Sequence, residues 1–203
     1  MAGDELFRWV VLAGLVLVFP IGVYHRLASH TGERLDRWQE GPWILFPLRI
    51  LGLAGILGVV LFAIHPPWMA WASLPLPDVV RWIGVLIGVL FAGLVWWTLG
   101  HLGKNLTDTV VTRASHTLVT SGPYRYVRHP FYLAFAMAVV ANGLTTANWF
   151  ILAVGFAAWV LIAIRTDKEE ARLIERFGDD YRRYAARTGR FFPRLPSLST
   201  RHA

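Results

Sequence analysis

The uncharged stretch FYLAFAMAVVANGLTTANWFILAVGFAAWVLIAI, residues 131 to 164, decides the fold class. It contains two apolar runs, Phe131 to Thr146 and Trp149 to Ile164, joined by Ala147 and Asn148. A helix needs about 20 mainly apolar residues to cross the core of a bilayer. The two-residue connection predicts a tight antiparallel helical hairpin. Because the first run is short, a re-entrant pair that does not cross the bilayer is the alternative.

Three earlier apolar runs have the length of membrane spans: Leu6 to Tyr24, Ile44 to His65 and Val79 to Leu99. Hydrophobic residues make up 55% of the 203 residues and charged residues only 16%, against about 25% charged in soluble domains. We therefore expect an all-α fold, a polytopic membrane helical bundle with five transmembrane helices and a cytoplasmic helical C-terminal tail. The chain has no cysteine, which excludes disulfides, thiolate metal sites and a cysteine nucleophile.

The distribution of basic residues predicts the orientation of these spans. All of the 20 Lys and Arg residues except Arg8 and Arg81 fall in or beside segments that a five-span topology places with the C-terminal tail. Cytoplasmic segments carry this excess, so we expect a multi-pass integral membrane protein with a cytoplasmic tail and active site and an outside N-terminus. The first run follows Asp4 and Glu5 and precedes no A-x-A pattern, so it is not interpreted as a signal peptide. Topology explains the net charge of +7, and no nucleic-acid partner is expected.

The first charged segment, HTLVTSGPYRYVRHPFY, covers residues 116 to 132. The tripeptide S-G-P at 121–123 is a turn signal. Pro130 suits the first position of the fourth span, which places His129 near its N-cap. A helix N-terminus with basic side chains is a good binding site for a carboxylate or phosphate. The alternative is that these basic and aromatic residues only anchor the span at the lipid headgroups.

The second charged segment, RTDKEEARLIERFGDDYRRYAARTGRFFPRLP, covers residues 165 to 196. Gly178 is expected to end a helix, and Asp179 or Asp180 to begin another. Apolar and aromatic side chains that recur at helical spacing predict packing rather than chemistry: Leu173, Phe177, Tyr181 and Tyr184.

Three ionisable residues, Arg165, Glu169 and Glu170, stand where the last span leaves the membrane. Ionisable residues at membrane depth are functional candidates. A solvated helix face with ion pairs three or four residues apart is the alternative.

Together the two charged segments resemble the isoprenylcysteine carboxyl methyltransferase family and the related phospholipid methyltransferases. The family pattern is H-x-L-V-T-x-G-x-Y-x-x-x-R-H-P-x-Y before a helical hairpin, then R-x-x-x-E-E-x-x-L, F-G-x-x-Y-x-x-Y and a closing proline. Before the hairpin the matching residues are His116, Leu118, Val119, Thr120, Gly122, Tyr124, Arg128, His129, Pro130 and Tyr132. After it they are Arg165, Glu169, Glu170, Leu173, Phe177, Gly178, Tyr181, Tyr184 and Pro193. The resemblance covers close to half the chain.

The resemblance implies an enzyme that binds S-adenosylmethionine on the cytoplasmic side, over the last two spans and under the tail. The implied cofactor-binding residues are His116, Leu118, Val119, Gly122, Tyr124, Arg128, His129, Pro130, Tyr132 and Glu169. Of these, Leu118 and Val119 would line the adenine, and the two tyrosines with His129 would hold the ribose and methionine part. One of Glu169 and Glu170 would face the ammonium group. No metal is expected.

Arg165 and Glu170 are the expected catalytic pair nearest the methyl acceptor. In-line displacement at a methyl carbon relies mainly on positioning and desolvation. Arg165 would orient a carboxylate acceptor bidentately, whereas an amine or thiol acceptor must lose a proton, with Glu170 or His129 as the base. The acceptor atom stays open. We expect a lipophilic small-molecule or lipid-modified substrate that enters from the membrane lipid.

Two other functions are compatible with parts of the sequence. Membrane reductases of the sterol reductase type, which use NADPH, also carry an R-H-P-like stretch before a closing hairpin, although FGDDYRRY at 177–184 favours the methyltransferases. A non-enzymatic membrane scaffold is the other alternative. For the methyltransferase, residues 1–203 are expected to form a single membrane domain, with scaffold helices in 1–99 and the cofactor-binding and catalytic half in 100–196.

Overall fold

The computed structural model describes residues 2–28, 41–102 and 117–194. These residues form six α-helices: α1 Ala2–Ala28, α2 Pro42–Ile64, α3 Asp78–Leu102, α4 Pro130–Thr145, α5 Trp149–Phe177 and α6 Asp179–Arg187. Two short 3₁₀ helices, Pro66–Ala72 and Gly122–Arg125, follow α2 and precede α4. Strand-like pairing in these ranges is limited to two isolated bridges. The predicted all-α class is confirmed.

Four of the described helices, α1, α2, α3 and α5, are long and apolar enough to cross a membrane. The fourth helix along the chain, α4, is also apolar but has only 16 residues. At 1.5 Å per residue it is about 24 Å long, shorter than the hydrocarbon core of about 30 Å. Large apolar side chains are exposed on the long helices, among them Leu17, Ile56 and Val89. The chain is therefore an integral membrane protein.

The last long helix, α5, extends beyond its predicted apolar run. The apolar pattern stops at Ile164, but the helix continues to Phe177 because the polar residues that follow are mostly good helix formers. Gly178 then ends it with φ of 55°, and α6 begins at Asp179, as predicted. The polar residues of the second charged segment therefore stand on a continuous extension of an apolar helix.

The helices α4 and α5 form the predicted hairpin, in which α4 packs on α3 and α5 packs on α2. Small residues allow the close approach. A Cβ atom at Gly155 would lie 2.7 Å from Val139 across the hairpin. A Cβ atom at Gly84 of α3 would lie 2.7 Å from the backbone nitrogen of Thr145. Such small-residue contacts are typical of helix packing in membranes.

The end of the hairpin that contains residues 145–148 is held by a group that we call the hairpin-turn cluster: Asp4, Arg81, Thr145 and Asn148. Arg81 is only 5% exposed, and it donates from Nε to the Thr145 carbonyl at 3.0 Å and from Nη1 to Asp4 Oδ1 at 3.0 Å. Asn148 donates to the Met69 carbonyl at 3.1 Å, and its side-chain oxygen caps the first turn of α5 at 3.1 Å. This cluster ties α1 and α3 to the hairpin.

Candidate active site

The loop before α4 is fastened to α3 and to α6. Gly122 has φ of 59°, and a Cβ atom there would lie 2.5 Å from the ring of His101 in α3. Only glycine fits this position without strain. Further along, the buried Tyr124 accepts a hydrogen bond at its carbonyl from the Tyr184 hydroxyl of α6 at 2.7 Å. The predicted turn at 121–123 therefore has a defined place between two helices.

The start of α4 confirms the prediction from the sequence. His129 is its N-cap and Pro130 its first residue, where the missing N–H of proline costs no helical hydrogen bond. Tyr132 lies three residues after His129, so both side chains share one face. Their rings stack with centroids 5.3 Å apart and an interplanar angle of 3°.

The C-terminal tail runs parallel to the end of the loop. The Arg128 backbone N–H donates to the Gly189 carbonyl at 2.8 Å, and the His129 N–H donates to the Arg190 carbonyl at 3.0 Å. A Cβ atom at residue 189 would overlap a backbone oxygen of the tail, so this position requires glycine. The register places the Phe191 ring against His129 at the start of α4 and the Arg190 side chain against Glu170 of α5.

The Glu170 carboxylate joins the loop, α5 and the tail. Its Oε1 accepts from Arg128 Nε at 2.8 Å and lies 3.1 Å from His129 Nε2. Its Oε2 accepts from Arg190 Nη2 at 2.9 Å. Arg190 also pairs with Asp167 at 2.7 Å. Charge-assisted bonds of this kind are about twice as strong as neutral ones, so Glu170 is held firmly in its ionised form.

The neighbouring Glu169 serves a different set of partners. The Tyr132 hydroxyl donates to Glu169 Oε2 at 2.6 Å and accepts from Arg165 Nη2 at 3.0 Å. His129 Nδ1 lies 3.9 Å from Glu169 Oε1. Arg165 is buried, and a buried guanidinium is tolerated because it is hydrogen-bonded near a carboxylate. The two glutamates thus share His129 between them, while their other partners differ.

Four aromatic rings pack together, and two of them, His129 and Tyr132, contact Glu169. Phe191 of the tail lies 6.0 Å from His129, 6.5 Å from Tyr132 and 5.6 Å from Trp159, measured between ring centroids. Trp159 of α5 donates from Nε1 to the Tyr132 carbonyl at 3.2 Å. Aromatic faces attract cations, and the carboxylate adds an anionic partner. The arrangement fits an organic cation that also carries an ammonium group, as a sulfonium amino acid does.

Six of the twelve predicted site residues meet in one group of contacting side chains. We call this group the site cluster: Arg128, His129, Tyr132, Arg165, Glu169, Glu170, Arg190 and Phe191. Of the other predicted residues, Leu118 and Val119 are half-buried before the turn, Gly122 and Tyr124 are in it, and Pro130 starts α4. His116 lies outside the described residues. Arg165 hydrogen-bonds Tyr132, while Glu170 pairs with Arg128 and Arg190.

Sequence reasoning missed Trp159, Asp167, Arg190 and Phe191. Helical spacing could have found Trp159, because it precedes Glu170 by about three turns of α5 and therefore shares its face. No local pattern shows that Arg190 and Phe191 return to His129. Their position depends on the path of the tail, which bends at Gly189.

The described residues contain no group of three or more His, Asp or Glu side chains that could hold a metal ion. The polar atoms of the site cluster are instead used in ion pairs and hydrogen bonds with one another.

Part of the chain matches the model of a known protein family. Residues 82–175 match the model of the Isoprenylcysteine carboxyl methyltransferase (ICMT) family. This range includes α4, most of α5 and the loop before α4. It ends before α6 and the tail residues of the site cluster.

Three curated relatives illustrate the range of similar proteins. The cobalt-zinc-cadmium resistance protein CzcN of Cupriavidus metallidurans is 32% identical over 57% of this chain and 55% of its own length. The protein-S-isoprenylcysteine O-methyltransferase of Dictyostelium discoideum is 30% identical over 58% of this chain and 52% of its own. The methanethiol S-methyltransferase of Mycobacterium tuberculosis is 29% identical over 77% of this chain and 56% of its own length. The chain spans only a little over half the length of these relatives.

A solved structure shares the fold. The eukaryotic intramembrane Ras methyltransferase ICMT superposes with a TM-score of 0.52 and 23% identity, over 75% of this chain and 53% of that one. Fold and site together define an integral membrane helical protein with a polar site at one end of a helical hairpin. The resemblance to the ICMT family that the sequence predicts is confirmed.

Proposed function

We propose that this protein is an S-adenosylmethionine-dependent methyltransferase of the membrane that acts on a lipophilic acceptor. The site cluster carries the proposal, because it joins residues of the loop before α4 to residues of α5 about forty positions later. Support also comes from similar proteins that are named as isoprenylcysteine and methanethiol methyltransferases. The two names differ in the acceptor atom, so the proposal is limited to a lipophilic acceptor reached from the membrane.

The aromatic rings beside Glu169 are the proposed site of the cofactor's charged end. When bound, S-adenosylmethionine supplies an electrophilic methyl group on a positively charged sulfur. Stacked His129 and Tyr132 would face this charge, and Glu169 would pair with the ammonium group. Leu118 and Val119 would line the adenine. His116, Gly122, Tyr124, Arg128 and Pro130 complete the proposed cofactor-binding set.

Arg165 and Glu170 keep separate proposed roles near the acceptor. Arg165 is buried beside Tyr132 and would orient an acceptor carboxylate. Both oxygens of Glu170 are already bonded to guanidinium groups, so Glu170 would position Arg128 and Arg190 rather than accept a proton. If the acceptor is an amine or a thiol, His129 is then the better candidate for the base.

We propose five membrane spans, with α4 as the short fourth span, the N-terminus outside and the tail in the cytoplasm. The uneven distribution of Lys and Arg supports this topology. Residues 1–99 would serve as scaffold and residues 100–196 as the cofactor-binding and catalytic half of one domain. Consistent with this division, the described residues of the site cluster all fall between 128 and 191.

Calorimetric titration of the detergent-purified protein tests the function. We expect S-adenosylhomocysteine, the demethylated cofactor, to bind the wild type. Glu169→Gln should weaken it by about tenfold or more, because a bond to a charged group contributes about 1.5–3 kcal/mol. Glu175→Gln is the matched control, since Glu175 is exposed on the same helix, and it should bind as the wild type does.

A parallel titration with NADPH separates the alternatives. If only NADPH binds, the proposed methyltransferase function is wrong and a reductase is favoured. If neither compound binds, a non-enzymatic scaffold is favoured. Once S-adenosylhomocysteine binding is established, transfer of a labelled methyl group to prenylcysteine, lipid amine and thiol acceptors would identify the substrate class.

A further inference from the structure

Two tyrosines on one face of α6 differ in what their hydroxyl groups bind. Tyr181 and Tyr184 are both buried, and their rings are in contact with centroids 5.9 Å apart. The Tyr184 hydroxyl donates to the Tyr124 carbonyl at 2.7 Å. The Tyr181 hydroxyl is buried but has no hydrogen-bond partner within the part of the chain that the structure describes. Tyr181 as a whole is 1% exposed.

A buried hydroxyl without a partner requires a reason. Removing such a group from water costs free energy that only a new hydrogen bond offsets, so native proteins contain few of them. Packing explains the ring of Tyr181 but not its oxygen, because phenylalanine would fill the same space without this cost. Exceptions to local rules concentrate at functional sites.

The surroundings of Tyr181 connect it to the site cluster. Arg128 donates from Nη1 to the Ala185 carbonyl of α6 at 3.0 Å and from Nε to Glu170 at 2.8 Å. One guanidinium group therefore fastens the helix that carries Tyr181 to the carboxylate at the centre of the site. Burial, followed by the negative charge of Glu170, raises the pKa of Tyr181. The hydroxyl thus keeps its proton and is available as a donor.

The charge of Glu170 also restricts the ligand atom that this hydroxyl could meet. An anionic oxygen beside Glu170 would be repelled, and the repulsion is strong away from water. An uncharged oxygen avoids it and still accepts a hydrogen bond. We infer that Tyr181 is a cofactor-binding residue whose hydroxyl donates to a ribose hydroxyl of S-adenosylmethionine. This inference rests on the proposed function and adds a residue to its binding site.

Two matched variants separate a binding role from a structural one. Tyr181→Phe and Tyr184→Phe each remove one buried hydroxyl from the same face of α6. Tyr181→Phe should leave the melting temperature of the ligand-free protein unchanged or higher, because it removes an unpartnered polar atom. It should weaken S-adenosylhomocysteine binding by about tenfold, which corresponds to about 1.4 kcal/mol, the net contribution of one hydrogen bond.

Tyr184→Phe should show the opposite pattern. It breaks a bond to the loop and should lower the melting temperature by about 3 °C or more, while the dissociation constant changes less than about twofold. If Tyr181→Phe instead lowers the melting temperature as Tyr184→Phe does and leaves binding unchanged, the hydroxyl has a structural partner and the inference is wrong.

The result also distinguishes this inference from the function on which it rests. A wild type that does not bind S-adenosylhomocysteine would overturn both. A wild type that binds, is weakened by Glu169→Gln and is unaffected by Tyr181→Phe would overturn the role of Tyr181 alone.

Analogues of S-adenosylhomocysteine that lack the 2′- or the 3′-hydroxyl test the ribose contact directly. One of them should bind wild type and Tyr181→Phe with the same dissociation constant, because the hydrogen bond is absent in both cases. Equal weakening of the parent compound and of both analogues by Tyr181→Phe would contradict a ribose contact.

Discussion

Two buried polar groups lie at opposite ends of the α4–α5 hairpin and differ in what they bind. In the hairpin-turn cluster, Arg81 and Asn148 donate to backbone carbonyls, and Arg81 also donates to the Asp4 side chain. In the site cluster, Arg128, Arg190 and Tyr132 donate to the side chains of glutamates, and Arg128 also donates to the Ala185 carbonyl. Backbone acceptors are fixed by the helices themselves, whereas side chains rotate and exchange partners when a ligand arrives. We therefore expect the first group to stabilise the fold and the second to serve the proposed binding site.

Arg81→Ala should produce the largest loss of stability. It removes the bonds to Thr145 and Asp4 inside the bundle and should lower the free energy of unfolding by about 3 kcal/mol. Binding of S-adenosylhomocysteine by the folded protein should not change. Thermal unfolding and calorimetry together check this, with the exposed Arg125→Ala as the control. Lost binding at an unchanged melting temperature would mean that the two ends are not independent.

Arg128→Lys should have the next largest effect, and at the opposite end. Lysine keeps the charge but cannot bond Glu170 and α6 at the same time, as the planar guanidinium does. We expect affinity for S-adenosylhomocysteine to fall by about tenfold, or about 1.4 kcal/mol. Arg125→Lys, three residues earlier and exposed, should bind normally. If the two variants bind S-adenosylhomocysteine with equal affinity, Arg128 does not contribute to the proposed site.

The response to alkaline pH should also differ between the two ends. The hairpin-turn cluster contains no phenol, whereas burial raises the pKa of Tyr184 from 10.0 to about 12. Between about pH 10 and pH 12 the unfolded chain loses this proton while the folded chain keeps it, so stability falls as pH rises. Melting temperatures across this range should decline less steeply in Tyr184→Phe than in the wild type. Parallel declines would show that another group controls alkaline unfolding.

Arg190→Gln should have the smallest effect on stability. The Arg190 side chain is 37% exposed, and solvent screens such pairs, so unfolding should change by less than about 1 kcal/mol. The hydrogen bond with Glu170 raises the pKa of Arg190, so its charge persists across the neutral range and the effect should not vary there. Arg187→Gln, on the exposed face of α6, is the control for loss of one positive charge. A large loss of stability would show that the tail is held mainly by Arg190.

The sequence predicts the hairpin and its turn well because their signals are local. Apolar length defines α4 and α5, Pro130 marks the start of α4, and Gly178 marks the end of α5. The sequence predicts a helix that ends at Gly178, but not that this helix is continuous with the span that ends at Ile164. The apolar pattern indicates where the helix leaves the membrane. The helix itself continues until Gly178, which adopts a positive φ.

The site was predictable only where its residues belong to short motifs. His129, Tyr132, Glu169 and Glu170 fall within two such motifs and do meet in space. The pairing of Glu170 with Arg190 joins a residue before α6 to a residue after it. Its register is set by the hydrogen bond from the Arg128 backbone N–H to the Gly189 carbonyl. The register of the tail depends on tertiary packing, so the residue spacing within either motif does not predict it.

A single continuous helix connects the two ends of this molecule. The 29 residues of α5 make a rod about 44 Å long at 1.5 Å per residue, whereas the hydrocarbon core is about 30 Å thick. Placed across a bilayer, such a helix would cross the hydrocarbon core and extend into the water on the side of Phe177. A lipophilic molecule in the bilayer and a second molecule in the water could then both reach the same turn of α5, near Glu169. Neither would have to leave its own solvent, as at the interface of a two-phase reaction.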